Sequence, residues 1–307
     1  MAENDAPGEA GRRARSALEA DIRGGRFVLT ASLGTLKGID GSLLRQRLRD
    51  LRSRFRVVKF GDNPRARARP SPWAAAGVAI NEGLEPVVHV TCRDRNRLAI
   101  AADLLGGRML GVHNVLCLRG DEIEVSDDDR ARAVADVDVV ELIRLAGEVG
   151  EGDYFLLAAC DPEAGAAASH FARLAEKLAA GALVLETQPI FEPDRFATWL
   201  DRLREAGIHA PLLVDVFVVT RPEQVASLRA VPFIAVPEWL EDRLRRDDAA
   251  GIELAAEIVA AVRALPGVAG CHLSSFGGLA EPPLLIADHL GFHAGDGGAH
   301  QWAGQDE

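Results

Sequence analysis

Two apolar runs in the first half of the chain end in polar residues that could bind a ligand. The first run ends in His89-Val90-Thr91, and the second is followed by Arg119-Gly120-Asp121. These side chains offer hydrogen-bond donors, acceptors and charges of both signs. Enzymes with parallel strands build their sites where the strands end. The pattern therefore predicts a ligand site at the carboxyl ends of two strands.

The elements that would position these groups alternate regularly along the chain. Short runs rich in β-branched residues are separated by longer stretches with apolar residues at helical spacing. We predict eight strands, at 27–32, 56–60, 86–91, 112–118, 154–159, 183–188, 211–216 and 270–273. We predict helices between them, including 42–54, 95–110, 137–149, 163–180, 193–206 and 249–265.

This alternation predicts an α/β fold, a single-domain (β/α)8 TIM-type barrel over residues 15–293. Near-continuous apolar strands agree with a parallel sheet that is covered on both faces. The alternative is a doubly wound sheet, which would need a glycine-rich dinucleotide turn after the first strand. The turn at 33–38 lacks that GxGxxG spacing. Residues 1–14 and 294–307 are rich in Gly, Ala and charge, and we predict disordered tails there.

The composition and charge of the chain argue against several classes of function. The net charge of −11 argues against a nucleic-acid partner, which requires a basic face. The apolar segments are interrupted by charged residues or glycine, so no membrane span is expected. The start of the chain lacks a secretory pattern, which predicts a cytoplasmic protein. The four cysteines have no CxxC spacing, and buried free thiols are expected rather than zinc ligands or disulfides.

Several motifs, in order, resemble the methylenetetrahydrofolate reductase family, in its short bacterial single-domain form. They are DNPRARARPSPWAAA at 62–76, HVTCRDRN at 89–96, NVLCLRGD at 114–121, ETQPIF at 186–191 and GCHLSSFGG at 270–278. The resemblance covers nearly all of the predicted barrel. It implies a FAD-dependent oxidoreductase of folate one-carbon metabolism. In such an enzyme NAD(P)H reduces the flavin, which passes hydride to a folate-bound methylene group.

The resemblance also implies roles for individual residues. The expected cofactor-binding residues are His89, Thr91, Arg119, Gly120, Asp121, Lys177 and Gly61. Asp121 would in addition be catalytic, because a carboxylate there can stabilise a cationic iminium. Gln188 and Gln224 would bind the folate, and the paired donor and acceptor of Gln188 suit a pterin edge.

One position departs sharply from the family pattern. The strand-1 glutamate that acts as the catalytic acid is replaced by Ser32, and a serine hydroxyl cannot supply a proton near neutral pH. Two substitute acids are considered. Glu186 lies two residues before Gln188 and so faces the same side of its strand. Alternatively, Glu186 pairs with a cation on a neighbouring strand, such as Lys59. Asp215, at the end of the seventh strand, is the second candidate.

The sequence is also compatible with three alternative functions. Lys59 could form a Schiff base if burial lowers its pKa. A divergent enzyme could use the folate or flavin pocket for one-carbon transfer or for redox chemistry on another substrate. A non-catalytic ligand-binding subunit is the third alternative. The partners expected are a small folate and, as an open question, a second copy of the chain or a partner subunit.

Overall fold

Eight parallel strands close into a barrel in which each strand pairs with the next and β8 pairs with β1. The structure is a computed structural model and describes residues 12–34, 41–164, 167–231 and 234–293. The strands are β1 Val28–Ser32, β2 Val57–Phe60, β3 Glu85–Thr91, β4 Asn114–Leu118, β5 Phe155–Cys160, β6 Val184–Thr187, β7 Leu212–Val218 and β8 Val268–Ser275. All eight predicted strands are confirmed, and so is the single-domain (β/α)8 barrel.

The helices surround this barrel. They are α1 Ala17–Arg23, α2 Ser42–Leu51, α3 Pro72–Asn81, α4 Arg97–Met109, α5 Val139–Val149, α6 Ala168–Ala179, α7 Pro193–Glu205, α8 Glu223–Arg229, α9 Trp239–Leu244, α10 Ala250–Arg263 and α11 Glu281–His289. The six helices that were predicted individually are present. Several are shorter at one or both ends; α6, for example, begins at Ala168 rather than at residue 163.

The lower half of the barrel is filled with apolar side chains. A separate cluster contains one or more inward-facing residues from each strand, such as Val28, Val87 and Leu213, together with Leu18 and Ile22 of α1. Helix α1 therefore closes the amino-terminal end of the barrel. Its first amides are held by Glu85, whose carboxylate accepts hydrogen bonds from Ala17 N at 2.7 Å and Leu18 N at 3.0 Å. A carboxylate at a helix amino terminus is favoured by the helix dipole.

A second, larger cluster lies between the outside of the barrel and the helices. With the lower interior also filled, access to the inside is left at the carboxyl ends of the strands. This end of the barrel is where the sequence predicts the site.

The sequence also predicts disordered tails and buried free cysteines. Of the predicted tails, residues 1–11 and 294–307 lie outside the described residues. Arg12, within the predicted amino-terminal tail, forms an ion pair with Asp153 at 2.7 Å. All four cysteines are buried free thiols, as expected.

Candidate functional site

The inner face of the barrel is lined by half-buried residues where the strands end. Strand alternation places every second side chain inside, and along otherwise buried strands the inward positions near the carboxyl end retain some solvent exposure. These residues are Ser32, Gly61, His89, Leu118, Ala159, Gln188, Asp215, Phe217 and Ser274. We call them the mouth residues. Each of the eight strands, or the residue directly after it, contributes at least one.

A buried ion pair crosses the barrel just below the mouth. Lys59 of β2 and Glu186 of β6 are 0 % and 5 % exposed, and the Lys59 ammonium donates directly to the Glu186 carboxylate. The alternative in which Glu186 pairs with Lys59 is confirmed. The expectation that the two residues lie on neighbouring strands was wrong. Strands β2 and β6 lie on opposite sides of the closed ring, so these long side chains meet near its centre.

Two histidines lie in the same layer and are held neutral. Burial, with a smaller contribution from Lys59, lowers the pKa of His89 to about 3. The pKa of His272 is also lowered by burial and by Lys59. His272 Nδ1 lies 2.9 Å from the Thr30 hydroxyl. His89 Nε2 is buried without a hydrogen-bond partner, so one polar atom in this layer is left for another group.

Asp215 is the acid of the mouth whose protonation changes near neutral pH. Burial raises the pKa of its carboxyl to about 7; the Ser274 hydroxyl opposes this shift, Glu186 adds to it and Lys59 weakens it. Ser274 Oγ donates to Asp215 Oδ1 at 2.7 Å. The Asp215 backbone is also fixed, since its amide donates to Thr187 Oγ1 at 3.0 Å.

Ser32, which is predicted to replace the family glutamate, lies close in the strand order to Asp215 and its partner Ser274. Asp215, Ser274 and Ser32 belong to β7, β8 and β1, which are consecutive in the closed sheet. Ala31 is level with Leu273, so Ser32 ends its strand at the level of Ser274. The hydrogen bond from Ser274 thus connects the Asp215 carboxyl to the strand beside Ser32.

Several predicted cofactor residues make contacts within the chain. The Thr91 hydroxyl and amide both donate to Asp62, at 2.9 and 2.8 Å. The Lys177 ammonium, from α6, donates to the Ala159 carbonyl at 2.7 Å, and burial lowers its pKa. Arg119 is largely exposed and pairs with Glu122 at 2.7 Å.

The turn after β4 packs against the end of β3. The Asp121 carboxylate accepts the Arg65 amide at 2.5 Å, which ties this turn to the loop after β2. Gly120 has a φ of +91°, and a Cβ there would lie 3.1 Å from the Arg93 side chain and 3.2 Å from the Thr91 side chain. Close packing of the turn against β3 thus accounts for this glycine. Gly61 has no such requirement, because a Cβ there would make only ordinary contact with Pro64 at 3.6 Å.

The two predicted folate-binding glutamines differ in their surroundings. Gln188 is a mouth residue whose backbone amide donates to the Cys160 carbonyl at 2.9 Å. Gln224 follows β7, and its amide oxygen accepts the backbone amides of Thr220 and Arg221 at 2.9 and 3.1 Å. Gln224 therefore holds the turn that begins α8, and its amide nitrogen is the group left to donate elsewhere.

The site predicted from the sequence did not include several inward-facing residues, among them Thr30, Phe217, His272 and Ser274. The alternation of Gly270, His272 and Ser274 within the GCHLSSFGG motif could have indicated the last two. An irregularity in the pairing of β7 with β8 at Leu212 and Leu213 interrupts the register. Because the pairing shifts there, the sequence of one strand does not show which side chains of β7 and β8 lie level with each other.

Comparison with known proteins decides the family. A family model described as methylenetetrahydrofolate reductase matches residues 43–280. The chain belongs to the methylenetetrahydrofolate reductase family. The matched range begins after β1, so it does not include Ser32, and the correspondence of Ser32 with the family glutamate stays a prediction.

Relatives in the methylenetetrahydrofolate reductase family are distant. The 5,10-methylenetetrahydrofolate reductase of Salmonella typhimurium is 28% identical over 199 residues, which cover 63% of this chain and 64% of that protein. The Escherichia coli enzyme is 27% identical over 199 residues, with the same coverage of both chains. The match thus spans slightly less than two thirds of the length of these curated relatives.

A solved structure shares the fold over nearly its whole length. It is described as an uncharacterized protein from Clostridium thermocellum that binds two copies of 5-methyl-5,6,7,8-tetrahydrofolic acid. The TM-score is 0.69 at 11% identity, covering 89% of this chain and 99% of the other. At this identity the likeness shows the fold alone.

The described part of the chain shows neither a candidate membrane span nor a candidate metal cluster. Among the described helices, none has the length and apolar character needed to cross a bilayer. Within the same part of the chain, no three His, Cys, Asp or Glu side chains are grouped to hold a metal ion.

Proposed function

We propose that this chain is a folate enzyme that reduces the methylene group of methylenetetrahydrofolate, with Asp215 as the proton donor. The family assignment and the folate named in the description of the structural neighbour support the substrate class. The observation that carries the proposal is the Asp215 carboxyl beside Ser274, with a pKa raised to about 7. A general acid works best when its pKa lies near the working pH.

The proposed role follows from the chemistry of ring opening. A proton delivered to a folate nitrogen breaks a carbon–nitrogen bond and leaves an iminium, which hydride then reduces to a methyl group. Asp215 holds that proton at its carboxyl. Glu186 does not suit this role, because its carboxylate is held by Lys59. The negative charge of Asp121 at the end of β4 would stabilise the iminium cation.

Substrate placement is proposed from the remaining mouth residues. Gln188 presents an amide to the pterin edge, as the family resemblance implies. His89 Nε2, buried and unpartnered, is a second group that could hydrogen-bond a bound ligand. Because His89 is neutral, it would contribute a hydrogen bond without placing a charge beside the iminium.

The proposed reductant is NAD(P)H, and the family resemblance implies FAD as the carrier of hydride between NAD(P)H and the folate. Thr91, Lys177 and Asp121 each make a hydrogen bond within the chain, and the Gly120 turn is explained by packing. These contacts do not fit a preformed flavin cradle. The visible absorbance of the purified protein tests directly whether the protein carries FAD.

The decisive experiment follows oxidation of NADH or NADPH with methylenetetrahydrofolate as the acceptor. We expect Asp215→Asn to lower kcat by about 10²–10⁴-fold, the usual contribution of a positioned acid. Wild-type kcat should fall as the pH rises through about 7, because Asp215 then loses its proton. The matched control is Asp201→Asn, at an exposed aspartate of α7. It should change neither kcat nor the pH at which kcat falls. Full activity in Asp215→Asn would rule out the proposed acid.

Ser32 favours a second candidate, a protein that binds folate without reducing it. The chain would then keep the mouth residues while lacking the strand-1 acid. Calorimetric binding of 5-methyltetrahydrofolate, together with no nicotinamide oxidation across the pH range, would select this alternative.

A further inference from the structure

An apolar stripe runs along the outside of α4. Leu98, Leu105 and Met109 are 78 %, 54 % and 89 % exposed, and Ala102 between them is also exposed. We call these four residues the α4 stripe. Such large exposed apolar side chains in succession on one helix mark an interaction surface more often than a free surface.

The neighbouring helix extends this apolar surface. Helix α3 has the sequence PWAAAGVAIN, which contains no charged residue. It packs closely on α4, since a Cβ at Gly107 would collide with the ring of Trp73. Leu110, directly after α4, is 46 % exposed. A helix without a polar face is typical of a buried position, yet Ala74 on the outer side of α3 is exposed.

We propose that the α4 stripe is a two-fold interface between two copies of this chain. Its residues are spaced by four, three and four positions, so the pattern is the same in both directions. An antiparallel pair of α4 helices therefore places Leu98 against Met109 of the second copy. It also places Ala102 against Leu105 of the second copy, so that a large side chain meets a small one. This self-complementarity is what a closed two-fold interface requires.

The charged residues beside the stripe are already paired within their own chain. Asp103 accepts from Arg95 at 2.9 Å, and Arg108 lies 3.4 Å from Asp153. Arg97 lies 3.7 Å from Glu148. Association would therefore not leave one of these charges without its counterion, which would be the costly outcome. The net charge of −11 disfavours the other apolar partner, an anionic lipid surface.

The area of the surface is adequate for a dimer. The exposed parts of Leu98, Leu105, Met109 and Leu110 amount to on the order of 500 Å². This lies within the roughly 300–600 Å² of the largest apolar patch on a typical monomer, a patch that is often functional. Two copies would remove about twice that area from water. With the outer side of α3 included, the total approaches the roughly 1,200 Å² at which stable interfaces begin.

The test is the mass of the full-length protein in solution, measured by light scattering and by sedimentation at about micromolar concentration. We expect twice the chain mass of 32.8 kDa for the wild type. Leu105→Glu should give 32.8 kDa with an unchanged circular dichroism spectrum. The matched control is Leu285→Glu on α11, a leucine of similar exposure at 46 %, which should stay dimeric. A monomeric wild type, or a folded Leu105→Glu variant that remains dimeric, would overturn the proposal.

Mixing two variants tests the antiparallel register. Leu105→Lys and Ala102→Glu should each be monomeric alone, because each places a charge in the interface. When they are mixed, Lys at 105 of one copy meets Glu at 102 of the other, and the dimer mass should return. If each variant alone is monomeric but the mixture stays so, the register proposed here is incorrect.

Discussion

At the scale of single residues, Asp215 has a cost for stability as well as a proposed use in catalysis. Its folded pKa of about 7 lies well above the ordinary value of 3.8. The folded state therefore binds the proton more tightly than the unfolded state between these two values. Stability contributed by the bound proton is complete below about pH 4 and is lost as the pH rises through about 7.

Replacing Asp215 by Asn removes this penalty. We expect the free energy of unfolding of Asp215→Asn, relative to wild type, to increase by about 2 kcal/mol from pH 5.5 to pH 8. Urea unfolding at the two pH values measures this difference. Asp201→Asn serves again as the control and should show no pH-dependent gain. A difference that stays constant with pH would mean that the Asp215 pKa is not raised.

Loss of one partner of the ion pair between Lys59 and Glu186 should destabilise the protein, in contrast to the loss of the Asp215 carboxyl. Glu186→Gln leaves the ammonium of Lys59 buried without a counterion, and we expect it to lower the free energy of unfolding by about 3–5 kcal/mol. The double variant Lys59→Met with Glu186→Leu removes both charges, and most of the loss should be recovered. Thermal and urea unfolding of the three proteins provide the measurement. Equal losses in the single and double variants would show that packing, rather than charge, sets the effect.

At the scale of elements, the contact between α10 and the end of β7 depends on one glycine. A Cβ at Gly251 would overlap the carbonyl oxygen of Val219, directly after β7. Because that neighbour is backbone, it cannot move aside as a side chain would. We expect Gly251→Ala to lower the free energy of unfolding by about 1–3 kcal/mol.

Gly147 in α5 provides the matched comparison. Its nearest atom to an added Cβ would be Leu156 Cδ1 at 3.9 Å, an ordinary contact. Gly147→Ala should therefore gain up to about 1 kcal/mol, the usual preference of a helix for alanine. Denaturant unfolding of both variants tests the pair. Stabilisation by both substitutions would contradict the close approach of α10 to β7.

The elements also show how far the sequence alone could be followed. All eight strands were predictable because buried parallel strands are continuous apolar runs that helices separate. Helix α1 was not identified individually. It is seven residues long, too short for its period to be recognised, and its amino terminus is held by Glu85 from a distant strand. Helix α3 lacks a polar face, so it has little helical periodicity to detect.

The site was predictable only in part, for reasons of geometry. Family motifs indicated Gln188 and His89, and alternation along a strand put Glu186 on the side of Gln188. That Lys59 reaches Glu186 from the opposite strand depends on closure of the ring. The raised pKa of Asp215 depends on burial inside that ring and on Ser274 of the next strand. Neither relation is a property of local sequence.

At the scale of the whole molecule, the mouth joins ligand binding to the stability of the barrel. Its residues come from all eight strands, so a ligand held there contacts elements that separate when the chain unfolds. A ligand that binds only the folded state at about one hundred times its Kd adds about 2.7 kcal/mol of stability. We therefore expect 5-methyltetrahydrofolate to raise the Tm of the wild type measurably.

The same measurement separates binding from proton transfer. Asp215→Asn should keep most of the Tm increase, because its proposed role is to supply a proton rather than to hold the folate. Gln188→Ala should lose most of the increase, since it removes the amide proposed to face the pterin. Gln46→Ala, an exposed glutamine of α2, should behave as the wild type. An increase retained in Gln188→Ala would place the folate elsewhere than against Gln188, and an increase absent from every protein would remove folate as the ligand.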